Sequence, residues 1–159
     1  MIKYLMYQKN PASHYVYIDM FIDAISQDTL QLQLPAWRPG RYELGNFAKN
    51  IKRVDIFNDK SEALSYHKLN KDLWEVNTKG CSHVKVTYSY YSAELNAGAC
   101  FADVAQLYMN PVHCCMYVVG RMNEEHRVEL TVPENYKIVC SLKKEGNILI
   151  AKDFDELVD

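Results

Sequence analysis

The first candidate for chemistry is the stretch LPAWRPGRYELGNFAKNI, residues 34–51, in which two arginines flank a proline–glycine pair. Arg38-Pro39-Gly40-Arg41 is typical of a type II turn, because Pro fixes φ at the second position and Gly supplies a positive φ at the third. Such a turn brings the two arginine backbones together, and guanidinium groups bind carboxylates through paired hydrogen bonds. The sequence therefore predicts a corner from which two cationic side chains project.

Aromatic residues on both sides of this turn allow two interpretations of the corner. Trp37 is suited to anchor an interface, since tryptophan is enriched among the residues that dominate binding energy. Alternatively, Trp37 and Tyr42 close the end of the core while the arginines pair with local acids such as Glu43, because aromatic residues stabilise folds mainly through burial. Residue types alone leave both interpretations open.

Metal ligands are sparse in the chain. Zinc sites use several Cys or His ligands, commonly as CxxC pairs or as HExxH on a helix, and neither pattern occurs. The nearest approaches are Cys81-Ser82-His83 and His113-Cys114-Cys115. On the strand that alternation predicts here, Cys114 and Cys115 point to opposite faces and do not converge on one ion. We predict no metal site and no cofactor in this chain.

Motifs of nucleophilic catalysis are also missing. The sequence contains no GxSxG and no glycine-rich phosphate loop, and no cysteine occupies a sharp turn before a helix, where its thiolate would be activated. We interpret Glu124-Glu125-His126 as a charged turn between strands. We therefore predict no catalytic residue in this chain, and a cysteine-dependent enzyme ranks last among the alternatives.

Alternating apolar and polar residues dominate the chain and predict β-strands. The clearest runs are 14–23, 29–34 and 83–92. Further strands are predicted in 50–59, with a register change near Lys52, and in 73–78, 115–120, 127–133, 136–143 and 147–154. About nine or ten short strands without a helical period predict an all-β fold, an antiparallel β-sandwich in which two sheets cover each other's apolar faces.

Two connections interrupt this pattern. Residues 24–28 form a short connection for which a hairpin is one option. Residues 92–113 are rich in small residues and lack a period, with a short helix at 103–107 as an option. Irregular loops of this length are usually functional or form interfaces.

Composition excludes several classes of protein. A length of 159 residues suits one domain, and a formal net charge of −2 gives no basic surface for nucleic acid. No apolar run reaches the length of about 18 residues that a membrane helix needs. Five cysteines without regular spacing indicate a reducing compartment, so we expect a cytoplasmic protein if Met1 is the native start.

The stretch 34–51 resembles the signature of the N-terminal domain of the glycyl aminopeptidase family of zinc metallopeptidases, with its Leu-Pro, aromatic, Pro-Gly, Tyr and Phe-Ala pattern. The resemblance extends along nearly the whole chain. Its shorter landmarks are Asn10-Pro11 followed by His14, Lys71-Asp72 leading to Trp74-Glu75-Val76, VTYSYYSAEL at 86–95, Asn110-Pro111 and the closing FDELVD.

This resemblance implies a three-part parent enzyme, with an N-terminal β domain, a thermolysin-like zinc domain carrying HExxH and a PDZ-like domain. The chain would correspond to the first part alone, with residues 1–152 as the β domain and 153–159 as the start of a linker toward the missing catalytic domain. Zinc is expected only in the parent. The expected partners are the catalytic domain and, through the parent, a peptide substrate. We predict that the corner residues contact the catalytic domain or bound its cleft, namely Trp37, Arg38, Pro39, Gly40, Arg41 and Tyr42.

A different class of function stays open beside this one. A stand-alone β-sandwich could bind sugar or peptide through its tyrosine-rich faces, formed by Tyr15, Tyr17, Tyr88, Tyr90 and Tyr91. That alternative requires an exposed aromatic row in the folded domain. The accessory-domain interpretation instead requires an exposed apolar patch where the larger neighbour rests, and it predicts that the chain alone self-associates.

Overall fold

The computed structural model describes residues 1–159 and consists mainly of β-strands, which confirms the all-β prediction. The strands are β1 Ile2–Tyr7, β2 Tyr15–Ile22, β3 Thr29–Gln33, β4 Ile51–Asn58, β5 Tyr66–Asn70, β6 Leu73–Asn77, β7 Val84–Tyr91, β8 Phe101–Ala102, β9 Leu107–Tyr108, β10 Tyr117–Val118, β11 His126–Thr131, β12 Lys143–Glu145 and β13 Ile148–Ala151. The helices are α1 Pro111–Cys114 and α2 Phe154–Val158, with 3-10 helices at Pro11–Ser13 and Phe47–Asn50. Neither α-helix has the length or the apolar character to span a bilayer.

Two main sheets share one hydrophobic core. The larger sheet has the order β12-β13-β11-β1-β2-β7-β4, the smaller one has the order β10-β3-β6-β5, and β8 and β9 form a separate ribbon. Inward-facing residues of both main sheets belong to a single buried cluster, as a sandwich requires. One strand pair differs from the predicted antiparallel arrangement, because β1 and β11 run parallel.

Strand β2 shows how the core determines the pattern of the sequence. Its side chains alternate between the two faces of the sheet, and Val16, Ile18, Met20 and Ile22 are completely buried. Burying each such side chain stabilises the fold by about 1.5–3 kcal/mol, so a shift of one residue in register would be very costly. The strand lies between β1 and β7 in the middle of the larger sheet.

The connection after β2 is not a hairpin. Strand β2 belongs to the larger sheet and β3 to the smaller one, so residues 24–28 carry the chain across the sandwich. The register change near Lys52 is confirmed, because the pairing of β4 with β7 shifts between Lys52 and Asp55. At this irregularity Arg53 has a φ of 57°, in the left-handed region.

Three local predictions are wrong. Residues 136–142 form no strand, although Ile138 and Leu142 pack against the core, so one-sided burial of an irregular segment produced the alternation. No helix forms at 103–107, and the long loop instead contributes β8, β9 and α1. Cys114 and Cys115 do not lie on one strand, because α1 ends at Cys114 and Cys115 caps it. Both cysteines are fully buried.

The final segment packs on the domain. Asp153 caps α2 by accepting a hydrogen bond from the Glu156 backbone N–H at 2.8 Å. Phe154 and Leu157 are buried in the common core. The residues that we expect to begin a linker therefore already belong to the folded unit, and the linker itself stays a prediction.

Two buried tyrosines join the larger sheet to the segment after α1. The Tyr4 hydroxyl donates to the Met116 carbonyl at 2.7 Å, and the Tyr88 hydroxyl donates to the Cys114 carbonyl at 2.7 Å. The Met116 backbone N–H donates to the Tyr88 oxygen at 3.3 Å. These bonds fix the position of α1 relative to the sheet, because all four residues that form them are buried.

Replacing Tyr88 with Phe is expected to lower the free energy of unfolding by about 1–3 kcal/mol, because the Cys114 carbonyl and the Met116 N–H lose their shared buried partner. Urea unfolding followed by fluorescence measures the change. Tyr91→Phe is the matched control, since Tyr91 lies at the end of the same strand and is exposed. An equal loss in both variants would contradict the role given to the Tyr88 hydroxyl.

Candidate functional site

The corner at residues 38–41 has the predicted turn. The Arg41 backbone N–H donates to the Arg38 carbonyl at 3.4 Å, and Gly40 has a φ of 81°, which the third position of a type II turn requires. The Trp37 indole N–H donates to the Arg41 carbonyl at 2.8 Å, so the aromatic side chain braces the turn. The corner is therefore held in shape by its own residues, although it contains no regular secondary structure.

The aromatic residues of the corner do not close the core. Trp37 is 49% exposed, and Tyr42 and Leu44 are also exposed. Arg38 and Arg41 form no ion pair with Glu43 or with any other acid, since the arginine pairs of the structure involve other residues. The interpretation of the corner as a plug of the core is wrong. We call the exposed side chains Trp37, Tyr42 and Leu44 the corner surface.

A histidine that the sequence predictions treated only as a weak metal ligand lies next to the corner. His113 of α1 is 4% exposed, and its ring stacks on Phe47 with a centroid distance of 3.9 Å and an interplanar angle of 19°. Its Nε2 is buried without a hydrogen-bond partner. Burial, followed by the charges of Arg38 and Arg41, lowers the pKa of His113 from 6.5 to about 4. The imidazole is therefore neutral near pH 7.

Loop residues of the irregular segment complete the surroundings of the corner. A Cβ placed on Gly98 would overlap the Arg38 guanidinium, so glycine at this position permits the close approach of that side chain. The Gly98 N–H is held by the Asn96 carboxamide oxygen at 2.9 Å. The long loop and the corner are thus in direct contact.

A cavity of about 1080 Å³ extends from the corner to the last helix. Its wall includes Trp37 and Arg38 from the corner, and Asn110 and Val112, which precede His113 in the chain. Acidic residues from the end of the chain also line it, namely Asp153, Asp155, Glu156 and Asp159. The fold therefore brings the corner, α1 and α2 together around one open space.

The tyrosine-rich face predicted for a stand-alone binding module is only partly exposed. Tyr88 and Tyr90 are buried in the core. Tyr15 packs against Tyr91 with a centroid distance of 5.1 Å, and Tyr17 lies under the Lys9 ammonium at 4.3 Å. Two of the five expected contact residues are thus unavailable to a ligand.

The cysteines give no support to thiol catalysis. A hydrogen bond with Cys114 and then burial raise the pKa of the Cys100 thiol, and burial raises the pKa of Cys81. A raised pKa opposes formation of the reactive thiolate. No group of three or more His, Cys, Asp or Glu side chains is arranged to hold a metal ion, so the residues of this chain do not fit a zinc centre.

Comparisons with known proteins agree with this architecture. A family model described as the peptidase M61 N-terminal domain matches residues 3–159. A solved structure of an aminopeptidase N family protein from Idiomarina loihiensis superposes with a TM-score of 0.86 at 21% sequence identity. The superposition covers 100% of this chain and 28% of that chain, so this chain spans less than a third of its structural neighbour. No curated protein matches the sequence.

Proposed function

This chain belongs to the peptidase M61 N-terminal domain family, and from that membership we propose that it is the non-catalytic N-terminal β domain of a zinc-dependent aminopeptidase. Hydrolysis of the peptide N-terminus, and the zinc ion that would activate water for it, are assigned to the parent protein. No catalytic step is assigned to this chain, whose acidic, histidine and cysteine side chains form no metal cluster. Its proposed role is to support the catalytic domain and to bound the cleft of that domain.

The observation that carries this proposal is the exposed aromatic corner. A Trp and a Tyr exposed on a corner that is braced by its own hydrogen bonds are suited to protein contact. A braced loop loses little conformational entropy on binding, so more of the contact energy appears as affinity. The Gly45 backbone N–H adds to the bracing by donating to the Ala36 carbonyl at 2.7 Å.

The position of the corner fits a role at the edge of a cleft. The cavity beside it is open and is lined on part of its wall by Asp155 and Glu156 of α2 and by Asp159, which follows this helix. An aminopeptidase accepts a free N-terminus, so closing one end of its cleft by a neighbouring domain restricts which substrates enter. We assign that closure to the corner surface.

In the parent protein, the double variant Trp37→Ser and Tyr42→Ser is expected to weaken docking of this domain on the catalytic domain. Aromatic anchors at interface centres each contribute about 2 kcal/mol or more, so a loss of at least about tenfold in kcat/KM or a clear fall in the Tm of the catalytic domain should follow. Leu69→Ser is the control, because Leu69 is an exposed apolar residue on β5 of the smaller sheet.

The same variants test the chain alone. If the corner surface is an interface, the unmodified chain self-associates in sedimentation experiments, the double variant is monomeric, and Leu69→Ser behaves like the unmodified chain. Unchanged docking, kcat/KM and self-association in the double variant would rule out the corner surface as the interface.

A further inference from the structure

Two arginines of this chain differ from the other three in having no acidic partner. The three ion pairs that contain arginine are Arg53–Asp55, Arg121–Glu124 and Arg127–Glu125. Arg38 and Arg41, on the corner turn, are the exceptions. These two positive charges lie at the two ends of one β-turn and repel each other. A negatively charged binding partner would offset this repulsion.

The guanidinium of Arg38 lacks good acceptors even though part of it is buried. Its Nε is buried without a hydrogen-bond partner, and its Nη1 reaches only the Pro39 carbonyl at a long 3.4 Å. A buried donor without an acceptor costs about 1–3 kcal/mol. A carboxylate offers two oxygens that match the planar donor fork of arginine, and it would satisfy these groups together.

His113 provides a second, independent indication. Its ring is almost completely buried, and its Nε2 has no partner within the protein. Both arginines are close enough to His113 to act on its charge, and Asn110 and Val112 on α1 line the same cavity as Arg38. The buried imidazole nitrogen has no partner and lies beside two guanidinium groups without an acidic partner, so a carboxylate would satisfy the guanidinium groups and, in the tautomer protonated at Nε2, the imidazole as well.

The acids that line this cavity do not provide the missing acceptor. Asp153 accepts the Glu156 backbone N–H, and Glu156 accepts the Lys152 backbone N–H, so both carboxylates serve the start of α2. Neither of them lies within ion-pair distance of Arg38 or Arg41. Arg38 and Arg41 therefore have no ionic partner in the folded chain.

We propose that Arg38, Arg41 and His113 form a binding site for a carboxylate, with Trp37 and Tyr42 as its apolar rim. The type II turn fixes the spacing of the two arginine backbones, and the stack on Phe47 holds the imidazole in place. The carboxylate comes either from a free peptide or from an acidic side chain of a neighbouring domain. The site consists of this chain's own residues, so the two proposals can be tested separately. The chain can fail to bind a carboxylate and still be an accessory domain, or it can bind a carboxylate without being an accessory domain.

The test is an NMR titration of the chain with N-acetylglycine, using its uncharged amide N-acetylglycinamide as the matched probe. N-acetylglycine is expected to produce saturable shifts of the Trp37 indole N–H and of the His113 ring signals, and to raise the pH at which His113 titrates. The amide is expected to produce neither effect, because it lacks the negative charge.

Variants identify the residues responsible. Arg38→Gln and Arg41→Gln are each expected to weaken N-acetylglycine binding by about tenfold or more, the usual effect of losing a charged hydrogen bond. Arg127→Gln removes the same charge from an arginine that already has an acidic partner, so its affinity should match that of the unmodified chain. Equal binding of the amide, equal weakening by Arg127→Gln, or no saturable shift would each overturn the proposal.

The same titration of the parent protein separates the two sources of the carboxylate. Binding to the parent as well as to the chain indicates a free peptide as the ligand. Binding to the chain but not to the parent indicates that an acidic side chain of the parent already occupies the site. Both outcomes require that the chain itself binds N-acetylglycine.

Discussion

Replacing Phe47 with Ala is expected to lower the free energy of unfolding by about 3–5 kcal/mol, the range for removing a buried aromatic ring and leaving a cavity. Phe47 is the only buried residue of its 3-10 helix, and it belongs to the common core. Its ring also stacks on His113, so its removal leaves one face of the imidazole without its packing partner. Loss of stability and loss of carboxylate binding should therefore occur in the same variant.

Urea unfolding followed by Trp74 fluorescence measures this loss, because Trp74 is buried and reports on the core. Phe21→Ala is the control, since Phe21 is only half-buried on the other face of β2 and lies under Lys85. The control should lose clearly less stability. Phe47→Leu separates the role of Phe47 in the core from its role in stacking on His113, because leucine refills part of the cavity without restoring the aromatic stack. An equal loss in Phe47→Ala and Phe21→Ala would show that Phe47 is not a core residue.

Local patterns predicted β2 and β7, which are neighbours in the larger sheet, because these strands bury one face and expose the other. Strand β1, the other neighbour of β2, was not predicted, although its residues alternate between buried and half-buried. In β7 the alternate residues Val84, Val86, Tyr88 and Tyr90 are buried, which is the arrangement that the sequence indicates. Strand β5 was missed for the opposite reason, since all its residues are exposed at the edge of the smaller sheet and carry no alternation. Burial, more than strand formation itself, is what the sequence pattern records.

The pattern does not record which strands are neighbours. Residues 24–28 look the same in sequence whether they close a hairpin or cross between sheets, and only the second occurs. The parallel pairing of β1 with β11 joins residues that are far apart in the chain, such as Ile2 and His126. No local signal specifies such a pair, because its stability comes from burial on the shared core.

In the candidate site, too, features set by neighbouring residues in the chain were predictable, and features set by tertiary packing were not. The turn at residues 38–41 was predictable because Pro and Gly determine its backbone angles within four residues. The exposure of Trp37 and the place of His113 were not, because both follow from the packing of the corner against α1. His113 looked like a weak metal ligand in sequence, whereas in the structure it stacks on Phe47, and burial and the charges of Arg38 and Arg41 lower its pKa.

The stability of the chain is expected to fall as the pH decreases from about 6.5 to about 4. Because the pKa of His113 is lowered from 6.5 to about 4 on folding, the unfolded chain binds a proton in this range and the folded chain does not. The full stability is therefore present above pH 6.5, and His113 alone reduces it by about 3 kcal/mol on the acid side of the window. Burial also lowers the pKa of His126, which acts in the same direction.

The carboxylate of Glu124 also makes stability depend on pH, but at lower pH than the histidines do. The Arg121 guanidinium and the N-terminal amino group hold the pKa of Glu124 at about 2, below its ordinary 4.5. That ion pair stabilises the fold above pH 4.5, and its contribution is lost as the pH falls toward 2. Between pH 6.5 and 4.5, the dependence of stability on pH is therefore assigned to the two buried histidines.

Urea unfolding at a series of pH values between 7.5 and 4.5 measures this dependence directly. His113→Gln is expected to reduce the slope of the free energy of unfolding against pH and to leave the smaller part due to His126. The slope is the informative quantity, because the substitution changes the absolute stability through packing as well. His67→Gln is the control, since His67 is largely solvent-exposed. An unchanged slope in His113→Gln would mean that folding does not lower the pKa of His113, and the buried imidazole assigned beside Arg38 and Arg41 would then be wrong.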